Sequence, residues 1–75
     1  MITDPEVALR VSECMQKMFR ILDATADDVR VSCSKGDYQA FLRATSKIAG
    51  SIVMDVMEPL YAKHPQLVPA DWGQD

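Results

Sequence analysis

The side chains in this sequence that could carry chemistry are Cys14, Cys33, His64 and the adjacent pair Asp27–Asp28. A metal site on a helix needs His or Cys ligands three or four residues apart, and the sequence has no such pair. Carboxylate-bridged metal sites in helical bundles need Glu-x-x-His, which the sequence also lacks. Asp27–Asp28 falls on the polar side of a predicted helix, which favours a solvated surface. We therefore predict no metal and no cofactor.

A nucleophilic mechanism would have to pair Cys33 or Ser34 with His64. In the hairpin predicted below, Cys33 lies at the turn and His64 at the open end, about 40 Å away by helix rise. Only an antiparallel dimer could bring Cys33 of one chain near His64 of the other, so a hydrolase of that kind is the weakest of three hypotheses. Cys14 and Cys33 are about 28 Å apart along one helix, which predicts two free thiols. We predict that the protein is not an enzyme and has no small-molecule substrate.

The residues that must position these side chains begin with a helix start at Asp4-Pro5-Glu6, with Asp as N-cap and Pro in the first turn. Apolar residues then recur at helical spacing, and Cys14 and Ile21 widen their stripe. This pattern predicts one amphipathic helix over about 5–33. A break within 24–28, which would give a three-helix bundle, is the competing interpretation because Thr25 could act as a new N-cap. The stripe consists of Val11, Met15, Met18, Leu22, Ala26, Val29 and Cys33.

A second helix is predicted over about 37–63, after a turn at about 34–37. Gly36 suits a left-handed helix C-cap, and Ser34 or Asp37 suits the next N-cap. Pro59 should kink or restart this helix because it lacks a backbone N–H. Pro65 and Pro69 make 64–75 a non-helical tail. Its Trp72 is predicted to anchor the tail by folding back onto the helices.

The composition predicts a single domain, residues 1–75, that depends on further packing for its stability. Apolar burial worth about 110 kcal/mol is opposed by about 110 kcal/mol of ordering entropy. Net charge is −3, it lies wholly in the C-terminal third, and no basic stripe is present, so nucleic-acid binding is not expected. No apolar run approaches the length of a membrane span, and no signal peptide is visible. With two unpaired cysteines, these features predict a cytoplasmic protein.

The second half of the chain carries one recognisable run, Val56-Met-Glu-Pro-Leu-Tyr-Ala-Lys-His-Pro-Gln-Leu-Val-Pro69, with Phe41 and Gly50 upstream. This run resembles small uncharacterised bacterial helical proteins. The resemblance implies a bacterial, all-α protein and assigns no activity and no functional residue.

The second helix is apolar over a wider arc than one neighbouring helix can cover, which predicts an interface. We expect two hairpins, each of two antiparallel helices, to pack face to face as a homodimeric four-helix bundle, either parallel or antiparallel, with a small patch at Ala49-Gly50-Ser51 allowing close approach. The leading hypothesis is a non-catalytic, self-associating protein-interaction module. The alternative is an acidic protein that neutralises a partner, as antitoxins, immunity proteins and export chaperones do. The candidate interface residues are Tyr38, Phe41, Leu42, Ile48, Ala49, Gly50, Ile52, Val53, Met54, Val56, Met57 and Leu60.

Overall fold

The computed structural model describes residues 1–72 and shows an all-helical hairpin. Helix α1 spans Pro5–Ser32 and helix α2 spans Lys35–Ser51. A π-helical segment, Ile52–Met57, continues α2 directly into helix α3, Glu58–Lys63, and a 3₁₀ turn follows at Pro65–Leu67. The predicted fold class, two long helices joined by a turn, is confirmed. The molecule measures 44 × 21 × 16 Å, so the hairpin is long and thin.

Helix α1 is continuous across 24–28, as the unbroken apolar phase predicts. Asp4 caps its first turn, since its carboxylate accepts from the backbone N–H of Glu6 at 2.9 Å and of Val7 at 3.3 Å. Thr25 does not start a new helix, because its hydroxyl donates to the carbonyl of Ile21 at 2.8 Å within the same helix. The three-helix alternative is therefore wrong.

The turn is shorter than the sequence predicts and consists of Cys33 and Ser34. The Ser34 hydroxyl accepts from the backbone N–H of Asp37 at 3.1 Å, so α2 begins at Lys35 and not at 37. Gly36 lies inside the first turn of α2. The prediction of a left-handed C-cap at Gly36 is wrong because the serine cap restarts the helix two residues earlier.

The second helix is not a uniform α-helix: α3 starts at Glu58, next to Pro59, where a kink or restart is predicted, and the prediction lacked only the π-helical segment before it. At its widened turn, the backbone N–H of Glu58 donates to the carbonyl of Val53, five residues back. The next residue, Pro59, has no N–H, and in an α-helix its ring would clash with the carbonyl of Asp55. The wider π turn relieves that clash and inserts one extra residue into the helical phase.

The core lies towards the open end of the hairpin. Its fully or nearly buried apolar side chains are Ala8, Ile52, Met57, Leu60 and Tyr61, and its half-buried partners are Ile2, Val11, Met15, Phe19, Leu22, Leu67 and Trp72. Towards the turn, the helix pair encloses less, and between residues 20 and 44 no side chain is fully buried. The turn half of the hairpin therefore has little core of its own.

A buried hydrogen bond joins the first helix to the last. The hydroxyls of Ser12 and Tyr61 are 2.6 Å apart, and the Gln16 amide donates to the Ser12 oxygen at 3.2 Å. Ser12 is 1% exposed and Tyr61 is 5% exposed, so neither hydroxyl has water as an alternative partner. This contact fixes the register between α1 and α3.

Ser12→Ala is expected to lower the free energy of unfolding by about 1–3 kcal/mol, because the buried Tyr61 hydroxyl would lose its partner. Tyr61→Phe removes the other half of the pair, and Ser12→Ala/Tyr61→Phe removes both hydroxyls. The double variant should be less destabilised than the sum of the two single variants, measured by urea unfolding at one protein concentration. Additive losses would mean that the two hydroxyls are not coupled.

The N-terminal residues and the segment after α3 both contact the open end of the hairpin. His64 is 6% exposed and its Nε2 lies 2.7 Å from the carbonyl oxygen of Ile2. Since a carbonyl only accepts, Nε2 carries the proton of this bond, and Nδ1 accepts from the Gln66 amide at 3.5 Å. Trp72, the predicted tail anchor, lies edge-on to Tyr61 with ring centroids 5.1 Å apart. These contacts tie both terminal segments to the helices.

Candidate interaction face

The residues with chemistry to offer are kept apart in this chain. Cys33 is exposed at the turn, whereas His64 is buried at the open end with both ring nitrogens hydrogen-bonded. Cys14 is also an exposed free thiol. The predicted cross-dimer pairing of Cys33 with His64 would require His64 to give up the contacts that hold the N-terminal segment.

The two adjacent aspartates are exposed on α1 and serve local contacts. Asp27 accepts from Arg30 at 2.6 Å, and this hydrogen bond raises the pKa of the guanidinium. The Ser32 hydroxyl donates to Asp28 at 3.5 Å. Within residues 1–72, no three His, Cys, Asp or Glu side chains come together as metal ligands would.

An exposed apolar stripe runs along one side of α1. Cys14, Met18 and Ile21 follow each other at steps of four and three residues, so they share one side of the helix. Met18 is 38% exposed and Ile21 is 64% exposed. These side chains lie beside the core stripe, where the neighbouring helix does not reach them.

A matching stripe on α2 consists of Phe41 and Ile48, seven residues apart, with Ile48 48% exposed. The far side of the hairpin is identified by a cleft of about 130 Å³, where Asp23 of α1 faces Ser46 of α2. Each of these residues lies about 160° around its helix from Ile21 and Ile48, respectively. Ile21 and Ile48 therefore lie on one side of the hairpin, opposite the side with the cleft. We call Cys14, Met18, Ile21, Phe41 and Ile48 the apolar face.

A depression of about 400 Å³ borders the apolar face on the second helix. Its lining residues are Lys47, Ile48, Ser51, Ile52, Asp55 and Val56. Four of them stand at positions i, i+3, i+4 and i+7, which is the spacing of the hole that receives a side chain in helix-to-helix packing. The floor is aliphatic, and the rim carries one lysine and one aspartate. The depression is thus a shallow, mainly apolar surface on the open side of the second helix.

The predicted interface residues differ in where they lie and in how exposed they are. Phe41, Ile48, Ile52 and Val56 lie on the apolar face or line the depression, while Leu42 and Ala49 line the cleft on the far side. Tyr38 and Val53 are half-buried, and Gly50 and Met54 are exposed on the outer side of the second helix. Within residues 1–72, no atom beyond its sequence neighbours and its own helix backbone lies within 4 Å of a Cβ placed on Gly50.

The prediction that Met57 and Leu60 lie at the interface is wrong. They are 1% and 0% exposed, so this fold already covers them and leaves nothing for a second chain to contact. The physical reason is the extra residue of the π-helical segment. It rotates Met57 into the position that an unbroken α-helix would give to Val56.

The sequence prediction left α1 out of the interface, although Met18 and Ile21 are among its most exposed apolar residues. A signal for them was present, because the apolar arc of α1 is also too wide for a single neighbouring helix. No helix within residues 1–72 is long and apolar enough to cross a membrane. No family model, curated protein or solved structure matches the chain.

Proposed function

We propose that this chain is a non-catalytic helical module that associates with itself through the apolar face, giving a homodimeric four-helix bundle. The observation that carries the proposal is the alignment of Met18, Ile21 and Ile48 on one open side of the hairpin. At about 1.5–3 kcal/mol per fully buried side chain, covering their exposed parts is worth about 2–5 kcal/mol for each protomer. That is a large share of the stability of a small domain.

The distribution of the core supports the same proposal. Between residues 20 and 44 the hairpin has no fully buried side chain, and Ile21 lies in this stretch on the apolar face. A second hairpin laid on this side would give the turn half the core that it lacks. A two-fold dimer needs only one self-complementary patch to do so.

A bacterial cytoplasmic setting is part of the proposal. Both cysteines are exposed and unpaired, and the chain has no disulfide between them. Exposed thiols stay reduced in such a compartment. The module would act there as a dimer.

Ile21→Glu is expected to convert the protein from a dimer to a monomer, because a desolvated carboxylate at the centre of the interface is strongly unfavourable. Light scattering at micromolar concentration should give about twice 8.4 kDa for the unmodified chain and about 8.4 kDa for the variant.

Val31→Glu is the matched control. Val31 is also on α1 and is 70% exposed, but it lies about 80° around the helix from Ile21, off the apolar face. This variant should remain a dimer. An unmodified chain of 8.4 kDa with full helicity would contradict the proposal, as would equal behaviour of the two glutamate variants.

A further inference from the structure

We infer, resting on the proposed self-association, that the two copies pack with α1 of each against the second helix of the other, and with their open ends together. In this arrangement Met18 enters the depression bounded by Ile48 and Asp55 of the partner subunit. The proposal thus specifies the occupant of the depression, a methionine from a second copy of this chain.

The cleft between the two helices shows which residues of α1 and of the second helix lie at the same height along the hairpin. Leu22, Asp23 and Ala26 of α1 line one cleft with Thr45, Ser46 and Ala49 of α2. One residue forward along α1 therefore corresponds to one residue back along α2. On this scale Ile21 is level with Ile48, Met18 with Ser51, and Cys14 with Asp55.

A two-fold symmetric dimer of this hairpin has two possible arrangements. Two hairpins can meet through one face by a two-fold axis that runs either parallel or perpendicular to the helices. The parallel axis keeps every residue at its own level and sets α1 of one protomer against the second helix of the other. The perpendicular axis sets α1 against α1, and its register depends on where along the hairpin the axis lies.

The parallel axis matches Met18, Ile21 and Ile48 to apolar sites without any adjustment, whereas Cys14 and Phe41 come level with Asp55 and Asp28 of the partner subunit. Ile21 meets Ile48 of the partner subunit, and Met18 meets the middle of the depression, between Ile48 and Asp55 of the partner subunit. The four residues that bound the depression have the spacing that receives such a side chain. Met18 of one copy is therefore the side chain that we expect in the depression of the other copy.

Charge agrees with the same arrangement. Arg10 and Lys17 flank the apolar face of α1, four residues before and three residues after Cys14, which is level with Asp55. The parallel axis places both cations beside Asp55 of the partner subunit, at the rim of the depression. Opposite charges at the rim help to fix the register of an interface.

Disulfide trapping between two single-cysteine chains tests the arrangement. One chain carries Cys33→Ser and keeps Cys14; the other carries Cys14→Ser, Cys33→Ser and Asp55→Cys. After mixing and subunit exchange, mild oxidation should join the two chains, because the parallel axis brings these positions level across the interface. Since each chain has one thiol, no disulfide can form within a chain.

A third chain with Cys14→Ser, Cys33→Ser and Thr25→Cys is the matched control, since a perpendicular axis near the middle of the hairpin would place position 25 opposite Cys14. We expect the Asp55→Cys chain to be trapped in at least about ten-fold excess over the Thr25→Cys chain, because disulfides form only between closely placed Cα atoms. Preferential trapping of the Thr25→Cys chain would overturn the arrangement, and so would a dimeric mass with neither trapped. A monomeric mass would instead refute the self-association on which the inference rests.

Discussion

A chain that lacks Met54 and carries Pro59→Ala is expected to fold with an unbroken second helix and an unchanged core. The buried or half-buried inward positions of this helix, Thr45, Ala49, Ile52, Met57 and Leu60, follow at steps of three or four residues except for one. The step from Ile52 to Met57 is five residues, and the π-helical segment absorbs the extra one. Removing the exposed Met54 restores a step of four.

Pro59 explains why the deletion needs a second change. Without the wider π turn, the proline ring would meet the carbonyl of Asp55, at a cost of about 3 kcal/mol. The deletion of Met54 alone should therefore lower the free energy of unfolding by about that amount. With Pro59→Ala added, the free energy should return to within about 1 kcal/mol of the unmodified chain.

Deletion of Lys17 is the matched control, because Lys17 is also exposed and lies in a uniform α-helix. The deletion rotates residues 5–16 by about 100° relative to the rest of α1 and removes Ala8 and Ser12 from the core. No widened turn is available in α1 to absorb the change, so this chain should show no cooperative unfolding transition. Circular dichroism during urea unfolding measures all three variants. Equal damage from both deletions would mean that the π-helical segment does not set the register.

The same segment shows where prediction from sequence stops. Asp4-Pro5 and the 4-3 spacing of α1 defined the first helix to within one residue at its end, because local capping and periodicity decide it. In the second helix, Val56 and Met57 are both apolar, so the pattern could not tell a four-residue step from a five-residue step. Pro59 predicted an irregularity in the helix, but its presence alone does not distinguish a kink from a widened turn.

The burial of polar side chains could not be predicted from the sequence, for a different reason. No local pattern predicts the burial of Ser12 or His64, yet they are 1% and 6% exposed, whereas Thr45, 8% exposed, stands in the inward stripe of the second helix. Ser12 is paired with Tyr61, 49 residues away, and His64 with the carbonyl of Ile2, 62 residues away. Such pairs depend on how the ends of the hairpin meet, which local propensity does not encode.

The candidate site was predicted in part for the same reasons. Ile48 and Val56 were identified as interface residues and do border the open side of the hairpin, whereas Ile52 is 7% exposed and belongs mainly to the core. Met57 and Leu60 were misplaced by the missed five-residue step. Ile21 was left out because only the second helix was considered too wide for its neighbour.

Truncation after Pro65 is expected to lower the free energy of unfolding by about 2–4 kcal/mol, within the range for losing a buried aromatic side chain. The tail contributes the edge-on contact between Trp72 and Tyr61, and its Pro69 and Trp72 line a cleft of about 220 Å³ together with Phe19 and Met57. Trp72 is half-buried there, so most of the loss should come from this one residue.

Trp72→Ala in the full chain separates the ring from the rest of the tail and should account for at least half of the loss. Val68→Ala is the control, since Val68 is in the same tail but 38% exposed, and it should change stability by no more than about 0.5 kcal/mol. Because Trp72 is the only tryptophan, its fluorescence also reports docking directly. A solvent-exposed emission maximum in the folded protein, together with an unchanged unfolding midpoint after truncation, would show that the tail is free of the helices.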